Sequence, residues 1–262
     1  MSAGAFDRAA TDYDAARGFP AGVGEQVAQA AVAWIGPGAR VLEVGVGTGR
    51  IAKPLAAHGV RVIGVDLARQ MLAQLRATLP AGQPGPGLVQ GDVLRLPLAA
   101  GGCDAVLSVH VFQLLSDWPA AVSEVRRVLR PGGVFLNGYE WRPPESPGAR
   151  LMDRWRLILA AAGGPALAAG ARDFDDLRAE LAQTGAAYAE RTVGRWSTTR
   201  TLARQLETIE HRTWAPGAGE TDAALSDGLA QLRLWAVAEF GALDQTHSVP
   251  HRFVWQRFAW PI

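Results

Sequence analysis

Cysteine is nearly missing: Cys103 is the single one in 262 residues, so no internal disulfide can form and no cysteine-rich metal site can be built. That scarcity predicts a reducing compartment and no bound metal. Long apolar runs are lacking too. No stretch approaches the ~18 uninterrupted apolar residues of a membrane-crossing helix, and Met1 to Asp14 carries acids without the apolar centre of a signal peptide. A cytoplasmic protein without membrane insertion is expected. Neither sign of charge dominates: 26 Lys and Arg stand against 25 Asp and Glu, a formal net charge of +1. No run of bases is available for a nucleic-acid backbone, so no nucleic-acid partner is expected. There is no repeat at solenoid periods and no compelling zinc, Ser/His/Asp or Cys/His spacing. What is there is 48% hydrophobic and 19% charged, the balance of a chain that buries a large core. The length suits one large α/β domain with an insertion.

Apolar residues recur at helical spacing from Gly22 to Ile35 and stop at Gly36-Pro37-Gly38. Arg40 to Gly45 then reads as a short, nearly all-apolar strand of the kind that is covered on both faces. The alternation continues with helix over 50–58, strand over 60–66, helix over 68–79 and a brief strand over 88–91. Strand 104–110, helix 119–129 and strand 134–139 follow, with Pro131-Gly132-Gly133 between the last two. Strands alternating with helices of about a dozen residues predict an α/β, Rossmann-like, doubly wound and mostly parallel sheet. Ligands of such sheets sit beyond the C-terminal strand ends.

After Trp141 the prolines at 143, 144 and 147 break the pattern, and helices are expected over 151–162 and 174–184. Strand 187–196, helices 201–211 and 223–240, and strand 252–260 complete a sheet of about seven strands with a helical lid insertion. Periodicity leaves the order of the last strands open. The expected division is an N-terminal cap helix in 1–36, a ligand-binding core in 37–140, a helical lid in 141–185 and closing strands with inserted helices in 186–262.

The sharpest local signal is Val41-Leu42-Glu43-Val44-Gly45-Val46-Gly47-Thr48-Gly49-Arg50, a strand running into a glycine turn and then a helix. Glycines there permit positive φ and close approach of a ligand. A dinucleotide turn wants G-x-G-x-x-G, and Arg50 occupies the third glycine's place. Asp66 closes the second strand, where a carboxylate accepts from a ribose diol. Asp92 follows the third strand, where it can accept from an exocyclic adenine amine. Three carboxylates, Glu43, Asp66 and Asp92, thus stand in a row at successive strand ends.

With these motifs in order, the chain resembles a class I S-adenosylmethionine-dependent methyltransferase of the ubiquinone/menaquinone-biosynthesis and small-molecule type. The matching segments are Glu43 to Gly49, Val62 to Leu72, Gly91-Asp92-Val93-Leu94-Arg95-Leu96-Pro97 and the E-V-R-R-V-L-R-P-G-G of Glu124 to Gly133, within residues 39–139. The resemblance implies S-adenosyl-L-methionine as cofactor, with Gly45, Gly47 and Gly49 forming its turn. Glu43 would orient that turn, directly or through water. It implies Asp66 on the ribose hydroxyls, Leu67 and Met71 on the adenine, Asp92 and the Val93 amide on its edge, and the Ser108 carbonyl toward the amine. Tyr13 and Arg17 stand where the family often closes the site.

Each residue has a plainer alternative. Asp66 can serve as a helix cap, Met71 as ordinary core, Asp92 as a loop acid, and Tyr13 and Arg17 as surface of a terminus. His110, just after the fourth strand, is the candidate general base, its ordinary pKa of about 6.5 suiting the task, with Tyr139 as second candidate; the plain alternative for His110 is a pocket wall. Seven of nine tryptophans fall beyond residue 140 and would line an acceptor pocket or anchor a core. The expected activity is methyl transfer to a small, partly hydrophobic molecule by a monomer or homodimer. The rivals are an NAD(P)-dependent oxidoreductase and a non-catalytic S-adenosylmethionine-binding protein.

Overall fold

A single seven-stranded sheet organises the chain, its strands in the spatial order third, second, first, fourth, fifth, seventh and sixth by sequence. The structure is a computed structural model and describes residues 7, 10, 18–80, 85–162, 174–211 and 222–261. The strands are β1 (Arg40–Val44), β2 (Arg61–Asp66), β3 (Gly87–Gln90), β4 (Cys103–Val109), β5 (Leu129–Trp141), β6 (Ala187–Thr201) and β7 (Thr246–Ala259). The helices are α1 (Val23–Ile35), α2 (Ala52–Ala57), α3 (Arg69–Ala77), α4 (Trp118–Val128), α5 (Pro147–Ala161), α6 (Phe174–Gln183), α7 (Leu202–Glu210) and α8 (Asp222–Phe240). β1 pairs in parallel with β2 and with β4, β2 with β3, and β4 with β5. From β1 the chain winds outward to β3 and then returns to β4 on the other side. This reversal opens a crevice beyond the C-terminal ends of β1 and β4.

The chain divides into two compact units: one comprises 1–139, 169–194 and 253–262, the other 140–168 and 195–252. In the first unit, Leu42, Val44, Val65 and Val106 of the sheet pack with Ala121, Val122, Val125 and Val128 of α4 and with Leu177 and Leu181 of α6. Helix α6, grouped with the lid by its place in the sequence, therefore sits in the core of the sheet unit. The buried Trp255 donates its Nε1–H to the Val27 carbonyl of α1 at 3.0 Å. A buried Asn137 Nδ2 donates to Gln256 Oε1 at 3.0 Å, between β5 and β7. The pairing of these two buried amides, with Gln256 Nε2 also donating to the Tyr188 hydroxyl at 3.4 Å, favours this strand pairing over competing ones, because a slip would strand them in an apolar interior.

In the second unit, Leu151, Met152, Trp155 and Ile158 of α5 pack with Leu206 and Ile209 of α7 and with Leu229, Leu232 and Ala236 of α8. A Cβ at Gly228 would lie 2.9 Å from the Trp155 ring, so this glycine lets α8 approach the indole.

Three strands differ from their expected extents. β5 begins at Leu129, with Pro131-Gly132-Gly133 inside it, and the pairing with β4 shifts register between Cys103 and Ala105. The irregularity tolerates a proline that a regular ladder would not. β6 and β7 run several residues longer than expected, because 197–201 and 246–251 are mostly polar and exposed or half-buried. An apolar-run criterion misses such edges.

Candidate functional site

The glycine turn follows β1 directly. Gly45, Gly47 and Gly49 all have positive φ, at 65°, 54° and 81°, where side-chain-bearing residues are strained. Their missing side chains are used differently. A Cβ at Gly45 would lie 2.3 Å from Val111 Cγ2, and one at Gly49 would lie 2.3 Å from Leu75 Cδ1. Those two glycines admit the turn after β4 and the helix α3. At Gly47 the nearest atom is the turn's own Gly45 carbonyl at 4.0 Å, so this face alone is open to a ligand.

The turn's amides are largely committed within the fold. Val46 N–H donates to the Val65 carbonyl, Gly49 N–H to the Val46 carbonyl, and Gly47 N–H to Asp66 Oδ2 at 2.8 Å. The other Asp66 oxygen accepts from Ala68 N–H at 2.8 Å, a local turn ahead of α3; the N-cap position itself is Ala68 and not Asp66. Each carboxylate oxygen keeps lone-pair capacity beyond its one amide. Burial raises the Asp66 carboxyl above its ordinary value, opposed by the Ala68 and Gly47 amides. Asp7 caps the same helix, accepting from Gln70 N–H at 2.8 Å, and its charge adds to the upward pull on Asp66. Nothing in the sequence pattern singles out Asp7, since it lies 63 residues from its partner.

Glu43 is 2% exposed. Burial pushes its carboxyl from 4.5 to about 8, against the charge of Arg50 and the Ala52 amide and with the help of Asp66. Its Oε2 has no hydrogen bond, and neither does the buried Oγ of Ser108. A carboxyl raised on folding stabilises the folded chain fully only below its unfolded pKa, and that contribution is lost as pH rises through the folded one. The ligand-free protein is therefore expected to lose thermal stability between pH 4.5 and about 8, and Glu43→Gln to flatten that slope. A slope unchanged in the variant would refute this assignment. Asp104 and Glu124 act oppositely. Hydrogen bonds from Arg130 and Arg127 respectively hold them below their ordinary values, so their contribution is lost as pH falls.

Asp92 is exposed and accepts from Leu94 N–H at 2.9 Å, while Val93 is half-buried against the sheet unit's core. Helix α4 holds this loop. Glu124 Oε2 accepts from Leu96 N–H at 2.7 Å, and Arg127 donates to the Leu96 and Leu98 carbonyls and to Glu124. The E-V-R-R segment thus clamps the segment that carries Asp92, a role its sequence did not reveal. Arg127→Ala is expected to accelerate hydrogen exchange of the Leu96 amide severalfold, because its clamp on Glu124 and two carbonyls disappears. Unaltered exchange would show the clamp to be dispensable.

Leu67 is 44% exposed just past β2, an apolar surface beside Asp66. Met71 instead is buried with Ala10 and Ala68. His110 has φ 58°, the only non-glycine residue with positive φ among the described residues, and its Nδ1 lies 3.2 Å from Gln113 Nε2. Tyr139 is buried in the sheet unit. Tyr13, Arg17 and Trp214 lie outside the described residues. Of the other late tryptophans, Trp155 and Trp255 are buried in the two units' cores, and Trp260 donates to Thr184 Oγ1 at 2.9 Å. The structure brings Glu43, Gly47, Asp66 and Ser108 to neighbouring C-terminal strand ends, as the register of β1 with β2 and β4 requires.

Residues 42–137 match the sequence model of the family described as the methyltransferase domain. The chain is 39% identical to a malonyl-acyl-carrier-protein O-methyltransferase of Serratia marcescens over 134 residues, 51% of this chain and 50% of that one. It spans about half the length of the curated relatives it matches. Its fold resembles the YcgJ protein of Bacillus subtilis, with TM-score 0.61 and 19% identity, covering 90% of this chain and 98% of that one. It also resembles phosphoethanolamine N-methyltransferase 2 of Haemonchus contortus, solved with S-adenosyl-L-methionine, with TM-score 0.55 and 20% identity, covering 98% of this chain and 57% of that one.

Proposed function

We propose that the protein transfers a methyl group from S-adenosyl-L-methionine to a small, partly hydrophobic acceptor. One observation carries the choice of cofactor: the glycine turn spends three of its amides inside the fold and is bordered by the carboxylates of Glu43 and Asp66. A pyrophosphate needs free amides at the turn, which disfavours the nicotinamide reading. A nucleoside carrying cationic groups meets acceptors instead. Asp66 would take the ribose hydroxyls and Leu67 would lie under the base. Asp92 and the Val93 amide would meet the base's edge. The orphaned Glu43 Oε2 and the open face of Gly47 suit the cationic methionine portion, with the Ser108 carbonyl toward its amine.

The bound cofactor supplies an already activated methyl, so the chain's own work is alignment and exclusion of water, worth ~7–11 kcal/mol when geometry is good. His110, held in a strained backbone conformation beside the crevice, is the group proposed to take a proton from a hydroxyl or ammonium acceptor. Tyr13 and Arg17 would help close the site. We place the protein in the cytoplasm; among the described residues no helix is long and apolar enough to cross a membrane.

The test is calorimetric titration with S-adenosylmethionine, NADH and NADPH in parallel. Saturable binding of the first alone is expected; nicotinamide binding without it overturns the reading, and cofactor binding with no acceptor methylated across small-molecule panels favours a sensor. Once an acceptor is found, His110→Ala is expected to lower kcat about a hundredfold or more with cofactor affinity unchanged. Full turnover in that variant would remove His110 from proton transfer.

A further inference from the structure

The second unit holds a cavity of about 290 Å³ lined by Trp141, Arg195, Trp196, Ser197, His251 and Arg252. These residues come from three strands; the late tryptophans were expected to line a pocket or anchor a core, and the arginines and His251 beside them were not singled out. The Arg252 guanidinium lies over the Trp141 ring at 4.2 Å from its centroid, and its Nε is buried without a hydrogen-bond partner. Among the described residues no carboxylate pairs with Arg252 or Arg195. Trp196 stacks on His251 at 5.4 Å with planes 10° apart, and Thr198 Oγ1 lies 2.8 Å from His251 Nε2. Burial holds the His251 imidazole below its ordinary pKa; Arg142 and Arg200 push the same way and Glu140 opposes them.

A guanidinium drawn partly out of water, with a donor left unused, is costly unless an anion completes it. Its planar fork matches a carboxylate, and contact with the indole through the guanidinium carbon consumes none of its N–H donors. The surrounding rings offer flat apolar walls, and the volume is at the small end of ligand sites. We propose that this cavity binds a small planar aromatic carboxylate, its anion on Arg252 and Arg195 and its ring against the tryptophans. A neutral His251, locked by Thr198, adds a flat wall without a competing charge.

This goes beyond the methyltransferase reading, and its test needs neither cofactor nor turnover. The full chain is titrated with benzoate, with its neutral analogue benzamide and with inorganic phosphate, followed by tryptophan fluorescence and calorimetry. Benzoate is expected to saturate, with benzamide and phosphate each about tenfold weaker or worse, the difference a charge-assisted contact makes. Arg252→Gln should bring benzoate down to benzamide's level. Arg195→Gln, at an exposed position, should do so in part without altering the melting curve. No benzoate binding, equal affinity for benzamide, phosphate binding as tight as benzoate, or wild-type affinity in both variants would each overturn the proposal.

Discussion

An Asp66→Ala variant is expected to bind S-adenosylmethionine about a hundredfold more weakly than the parent, because the two charge-assisted contacts proposed to the ribose diol would be worth ~1.5 kcal/mol each. The side chain has a second job. Its two oxygens take the Gly47 and Ala68 amides, both at 2.8 Å, so its loss also releases the open face of the turn and the start of α3. A fall in stability of ~1–3 kcal/mol accompanies the change. Asp66→Asn should bind nearly as poorly, because an amide group presents one acceptor oxygen where the fold needs two and turns an N–H toward a backbone N–H. Calorimetry on folded protein decides it, and parental affinity in the alanine variant would remove Asp66 from the cofactor site.

The second large effect separates two glycines that look equivalent in the sequence. At Gly49, alanine meets both a φ of 81° and Leu75 Cδ1 at 2.3 Å. Left-handed backbone costs ~1–2 kcal/mol and an overpacked core a further ~1–3 kcal/mol. Gly49→Ala should therefore melt far below the parent. At Gly47 the backbone penalty applies alone, since nothing but the turn's own carbonyl lies within 4.0 Å. Gly47→Ala should stay folded at physiological temperature yet lose cofactor affinity, its methyl occupying the open face. Chemical denaturation with parallel cofactor titration reads both; equal destabilisation by the two substitutions would contradict the geometry.

The candidate site was legible to the extent that it is local. Glu43, the glycines, Asp66 and Asp92 occupy strand ends, and in a parallel sheet strand ends are neighbours whatever the side chains between them. The sheet's first five strands were legible for the same reason, since buried parallel strands read as apolar runs between helices. What stayed hidden depends on contacts across long separations. Asp7 on α3, Glu124 and Arg127 on the Asp92 loop, and Val111 filling the space at Gly45 have no periodic signature. Nor does a count of late tryptophans distinguish Trp155 and Trp255, which anchor cores, from Trp141 and Trp196, which line a cavity.

Composition, periodicity and motif order by themselves determined an α/β parallel sheet, a glycine turn after β1 and a row of three acids, because each is set by residues close in the chain or by backbone geometry. Tertiary structure alone decided which glycine faces open space and which amides remain free. It also decided that α6 joins the sheet unit, and that Arg252 lies over Trp141 with an unused donor. Those outcomes follow from packing and desolvation, which depend on what surrounds a side chain and not on what precedes it.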